Sequence, residues 1–313
     1  MKQAGDQAMG GSIELSLFSS RVSAICEEMG ALLGRVAFSP NIRDRLDYSC
    51  ALFDSEGRLL GQATHIPVHL GSMAYAMHGL VQEFDWQQGD MVVFNDPFKG
   101  GTHLPDVTFV MPVFQAGSLV GFVANRAHHA DIGSDAPGSM PVSSSLEEEG
   151  VIIAPTLMMS NGEIDPGFLK DLMARLQDPA SSRGDIQAQV AANLLGGQRL
   201  AGLAASMGSR HFQASASQLQ DYACRLAVGS LAEIPHGQYR FSDVLDDDGL
   251  GTSDIRIQVA VTVDEAGVTV DFDGSAPQVE GNLNCPLSVT AAAVFYTFRC
   301  LMPDQVPACH GAM

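Results

Sequence analysis

The chain has 313 residues, about twice an average domain of ~150 residues, with 46% hydrophobic and 17% charged side chains. That composition excludes an intrinsically disordered protein. Lys and Arg number 17 against 36 Asp and Glu, a net charge of −19, which argues against nucleic acid and anionic membranes as partners. Every apolar run falls short of the ~20 residues of a membrane span, and MKQAGDQAMGG lacks the apolar core of a signal peptide. A cytoplasmic enzyme is expected, with its six scattered cysteines as free thiols.

Residues 1–11 read as a flexible tail. From Ser12 to about Phe38, Leu17, Val22, Ile25, Met29, Leu32, Leu33 and Val36 recur on one helix face, and Ser39-Pro40 ends it. A hairpin turning at Gly57 follows, then a helix over His69–Phe84. Asp90–Asn95, Val107–Phe114 and Leu119–Asn125 read as strands, the last two joined at Gln115-Ala116-Gly117. After Pro166 an alanine-rich helical tract runs to about Ala232, with an expected break near Gly196-Gly197. Three further strands, Tyr239–Val244, Ser253–Val263 and Gly267–Phe272, precede a last helix near Ser288. This order predicts an α+β fold, with mixed or antiparallel sheets packed on long helices. Residues 12–165 form the expected active-site region, 166–235 a helical region and 236–313 a second sheet region.

Chemistry-bearing residues concentrate between Asn95 and Asp131. His103-x-x-Asp106 and His128-x-x-Asp131 each pair an imidazole with a carboxylate at a predicted strand end, a donor set suited to Mn, Fe or Zn. A cluster of polar groups hydrogen-bonded to one another is the alternative. Adjacent residues on an extended strand face opposite ways, so His128 and His129 share a metal only if the strand bulges. His129 is therefore either a fifth ligand or an acid/base group. His65 and His69 flank Pro67, which argues against a regular helix there and leaves satisfied histidines or a substrate role. Glu147-Glu148-Glu149 is a solvated face or the source of one base, with Glu148 the candidate. Asp246-Asp247-Asp248-Gly249 reads as a turn, since it lacks the spaced ligands of a calcium loop. No GxxxxGK[ST], strand-borne GxGxxG or GxSxG motif is present.

Long motifs carry a resemblance. FSPNIRDRLDYSCALFD (38–54), HIPVHLGSM (65–73), NDPFKGGTHLPDV (95–107) and NRAHHADIG (125–133) are similar to the hydantoinase B/oxoprolinase family. PGSMP (137–141), EEEGVIIAP (147–155) and DFDGSAPQVEGNLNCPLSVT (271–290) extend the likeness. The family includes the B-type components of N-methylhydantoinases, one half of 5-oxoprolinase, and the alpha subunits of acetone and acetophenone carboxylases. The resemblance implies a B-type catalytic subunit that hydrolyses a cyclic amide, with ATP bound by a separate hydantoinase A-type subunit in a hetero-oligomer. It implies a divalent metal, with candidates at His103, Asp106, His128, His129 and Asp131 and Asp96 a possible sixth. Strand geometry then favours His103, Asp106, His128 and Asp131 as the ligands, with His129 and Glu148 as catalytic candidates. Asp96, His65, His69 and Arg126 are further metal or substrate candidates. A ketone carboxylase subunit is the alternative reading, and a non-catalytic scaffold the second. Because family members continue further, the chain is expected to be truncated at its C-terminal end.

Overall fold

In the computed structural model the first helix outruns its apolar stripe: α1 spans Lys2–Val36, so it starts at Lys2 rather than Ser12 and takes in the residues read as a tail. The structure describes residues 2–63, 66–136 and 141–313, without the side chains of 2–12 and 70. Val22, Ile25, Met29 and Leu33 of the expected stripe are buried, joined by Phe18. Spacings of three and four put them on one face. A single turn, α2 (Pro40–Arg43), leads into the hairpin β1 (Tyr48–Asp54) and β2 (Leu59–Gln62), which turns through Gly57 at φ +77°.

Helix α3 (Pro67–Glu83) corrects the expectation about Pro67. Proline occupies the first helical position, where its missing N–H costs no hydrogen bond and its fixed φ suits the helix. His69 therefore sits in a regular first turn, while His65 lies outside the described residues. Next come β3 (Met91–Phe94), β4 (Asp106–Gln115) and β5 (Ser118–His128). Ala116 and Gly117, both at positive φ, join β4 to β5 as a tight hairpin turn requires.

The short helix α4 (Leu146–Glu149) and the hairpin β6 (Thr156–Ser160) and β7 (Glu163–Ile164) were not anticipated from the residues. Helices α5 (Pro166–Met173), α6 (Pro179–Met207) and α7 (Ser209–Leu231) make up the helical tract. It breaks over residues 174–178 and at Gly208, at φ +79°, and not at Gly196-Gly197. Those two glycines lie inside α6, where a Cβ would strike Met29 of α1 and Met111 of β4. They permit close approach and do not end the helix. The strands β8 (Gly237–Asp247), β9 (Ser253–Asp264) and β10 (Gly267–Asp271) form a small sheet, followed by α8 (Leu287–Cys300).

The fold is α+β. A seven-stranded sheet in the order β2-β1-β5-β4-β3-β6-β7 has antiparallel neighbours throughout, and the smaller sheet is β10-β9-β8. Period-two alternation sorts the central strands into two cores. Val107, Phe109 and Met111 of β4 and Val123 and Ala127 of β5 pack with α1 and α6. Val110, Phe122 and Ala124 point the other way and pack with Met73, Met77 and Leu80 of α3. Helix α8 lies against α3. Among the described residues no helix is long and apolar enough to cross a membrane.

The α3–α8 contact depends on Gly71, whose added Cβ would lie 2.8 Å from the Ala292 Cα and also overlap Phe295. Gly71→Ala should cost about 1–3 kcal/mol in urea unfolding. Gly79→Ala, where nothing lies within 4 Å, should be neutral or stabilising by up to ~1 kcal/mol on helix propensity alone. Equal effects at the two positions would contradict this packing.

Candidate metal centre

The register of the sheet builds the site. Asp106, the first residue of β4, pairs with His128, the last of β5, and both point to the α3 face. His103 approaches from the loop before β4, where Asp106 donates its N–H to the His103 carbonyl at 3.0 Å. His103 Nε2 lies 3.1 Å and His128 Nδ1 3.4 Å from Asp106 Oδ1, with the two rings edge-to-face at 5.0 Å. Among the described residues, His103, Asp106 and His128 form the group whose ligand atoms all lie within 4.8 Å of one another.

The two oxygens of Asp106 have different surroundings. Oδ2 is held by Thr102 Oγ1 and by His69 Nε2 at 3.2 Å. A carboxylate can only accept, so the His69 proton sits on Nε2, and Ser49 Oγ meets Nδ1 at 2.9 Å. Oδ1 is buried and accepts no properly aligned hydrogen bond, despite the two imidazole nitrogens beside it. Leaving such an oxygen unsatisfied costs about 1–3 kcal/mol. A buried, unsatisfied carboxylate oxygen converging with two ring nitrogens fits a divalent cation. Burial would raise the Asp106 carboxyl, but His103 and His69 outweigh it and hold the group well below the usual carboxylate range. Burial correspondingly disfavours a charged His103, and Asp106 more than compensates, leaving that imidazole raised.

Arg126 lies beneath this group, fully buried. Nε donates to Thr108 Oγ1 at 2.7 Å, Nη1 to Ser72 Oγ at 2.6 Å and Nη2 to the Gly100 carbonyl at 2.9 Å. The guanidinium thus joins β4, α3 and the loop carrying His103. Burial pulls it down to about 10, so it remains a cation at neutral pH. Its position is that of a buried support and not of a group facing a substrate. Gly100, at φ +96°, packs its α-carbon against Ala76 where a Cβ would overlap, and this lets the loop reach the arginine.

Other candidates stand apart from the group. Asp131 Oδ1 accepts the Gly133 N–H at 2.9 Å and Oδ2 the Asp178 N–H at 2.6 Å, so the carboxylate secures a loop to the start of α6. Asp96 accepts from the Phe98 N–H, closing a short 3₁₀ turn over Pro97–Lys99. Glu148 is exposed and accepts from the Ser144 N–H. Its neighbour Glu149 is the half-buried one, raised by burial, with His103 and Asn282 acting in the opposite direction.

His129 points to the opposite face of the sheet from His128. No bulge is present at this end of β5, and the ring meets Gln189 Oε1 of α6 at 2.7 Å. Gln189 Nε2 donates to Asn125 Oδ1 and the Val107 carbonyl, both at 2.9 Å. Asn125 in turn donates to Asn193 Oδ1. Burial lowers the His129 imidazole, which favours the neutral ring. This buried network docks α6 on the sheet. The residue patterns gave no sign of Gln189 or Asn193, since their partners lie sixty or more positions away. His129→Ala strands the Gln189 oxygen and should cost about 1–3 kcal/mol of stability in urea unfolding. A change within 0.5 kcal/mol would contradict a docking role.

Comparison with known proteins agrees with this architecture. The hydantoinase B/oxoprolinase family profile matches residues 11–313. The chain is 38% identical to a 5-oxoprolinase of Saccharomyces cerevisiae, over 96% of its own length and 24% of that protein's. It is 32% identical to a protein of a Pseudomonas species named as the B component of a D-/L-hydantoinase, over 90% of this chain and 50% of the other. The crystal structure of an ATP-dependent caprolactamase from Pseudomonas jessenii superposes with a TM-score of 0.85 at 27% identity, covering 91% of this chain and 49% of that one. The chain thus spans between a quarter and a half of the length of these proteins. It belongs to the hydantoinase B/oxoprolinase family.

Proposed function

We propose that this chain is the B-type component of an ATP-dependent amide hydrolase, holding a divalent metal on His103, Asp106 and His128. The observation that carries the metal assignment is Asp106 Oδ1, buried without an aligned hydrogen bond between two imidazole nitrogens. The substrate assignment is supported by the relatives' names, since 5-oxoproline, hydantoins and caprolactam are all cyclic amides. ATP is assigned to an A-type partner, because this chain lacks a phosphate-binding glycine loop.

Each residue then has a defined task. Asp106 supplies Oδ1 to the centre, while Thr102 and His69 hold Oδ2 and fix the carboxylate plane. His103 and His128 supply Nε2 and Nδ1. Arg126 places a permanent positive charge under the floor, which disfavours protonation of Asp106. When bound, the divalent metal would polarise the carbonyl of the activated amide and lower the pKa of water beside it. His129, Asp131 and Glu148 have no part in this reading.

Two measurements test it. Elemental analysis should find stoichiometric Mn, Fe or Zn in the wild type, Asp131→Asn and His129→Ala, and loss of metal in Asp106→Asn and His128→Ala. Retained metal in Asp106→Asn would overturn the ligand assignment. Mixed with its A-type partner and ATP, the protein should open a hydantoin or 5-oxoproline ring. Failure to turn over either would overturn the substrate class and leave the metal centre standing.

A further inference from the structure

The small sheet has one apolar face, and that face is open. Its register is unbroken along both strand pairs, so side chains sort by strict alternation. Tyr239, Phe241 and Leu245 of β8 share a side with Ile257 and Val261 of β9 and Val270 of β10. The opposite side is polar, with Arg240, Ser242, Arg256 and Gln258. Every residue of β8 is exposed, whereas every residue of β1 is buried. Phe241 is 67% exposed, Tyr239 45% and Ile257 43%. A sheet with an apolar face is stable when another layer packs on it. An apolar patch of this extent marks an interaction site.

Charge says what kind of layer fits. Residues 237–271 carry eight acidic side chains against Arg240 and Arg256, a net charge of −6 and about a third of the chain's −19. Asp246, Asp247 and Asp254 stand at one end of the strands, Asp264 and Glu265 at the other, and all five are exposed. An apolar centre with a charged rim is the anatomy of a protein–protein interface. The sign of the rim repels an anionic membrane. A second copy would set two acidic rims against each other, and like charges across an interface are costly. The complementary occupant is a different polypeptide with an apolar centre and a rim of Lys and Arg.

We propose that this face is the docking surface for the A-type subunit. The proposal rests on the partner assignment above and adds the surface that the partner occupies. Phe241 and Ile257 form the apolar anchor, and the acidic ends of the strands steer the partner's basic rim onto it. The metal centre lies on the other sheet, so contact with the partner and metal binding are separable by substitution.

Calorimetric titration of the A-type subunit into the protein reads the contact directly, at about 50 and about 500 mM NaCl. Phe241→Ser and Ile257→Ser alter side chains that are already exposed, so wild-type circular dichroism and metal content should be retained. Each should weaken binding about thirtyfold. Asp246→Asn combined with Glu265→Gln should weaken it about fivefold at low salt and match the wild type at high salt. Arg240→Gln, on the polar side, should bind as the wild type does. Wild-type affinity in both folded serine variants would overturn the proposal and leave the partner assignment standing. A wild type that sediments as a dimer, and as a monomer after Phe241→Ser, would give the face to a second copy and also overturn it. A wild type that does not bind the A-type subunit would overturn the partner assignment, and this proposal with it.

Discussion

The centre depends on one pairing, that of Asp106 at the start of β4 with His128 at the end of β5. Antiparallel register places both side chains on one face, and a shift by one residue would send each to the other side. With His128 displaced, His129 would face α3, and the Gln189 network under α6 would lose its imidazole. The register is held by the alternation of two cores, with Phe109 and Val123 toward α6 and Phe122 and Ala124 toward α3. The packing that stabilises the sheet therefore also sets the geometry of the site.

Around that pairing, the polar groups divide by face. On the α3 side, Arg126, Ser72, Thr108, Thr102 and His69 hold the loop and Asp106 in place, and Oδ1 is left unbonded. On the α6 side, His129, Gln189, Asn125 and Asn193 bond to one another and to the sheet backbone. Buried polar groups are ordinarily satisfied, so the oxygen left without a hydrogen bond is the informative one.

The first His-x-x-Asp pair was legible because its geometry is local. His103 and Asp106 lie three residues apart at a loop-to-strand entry, and a backbone hydrogen bond closes that turn. The second pair is separated by an equally local feature: Asp131 lies beyond the strand end and turns back to the N–H of Gly133. The opposed faces of His128 and His129 followed from strand periodicity, and the absence of a bulge settles them. Glu149 was hidden within a run of three glutamates, where only burial separates it from Glu148. Pro67 and Gly196-Gly197 were read as breakers, whereas the first starts a helix and the others sit at close approaches.

The central claim is that Asp106 joins two histidines into a metal centre on the α3 face of the sheet. Anomalous X-ray scattering from crystals of the protein grown with manganese tests it most directly. The account predicts one strong peak within bonding distance of His103 Nε2, Asp106 Oδ1 and His128 Nδ1. A peak on the α6 side beside His129 and Asp131, or none at the Asp106 carboxylate, would contradict it.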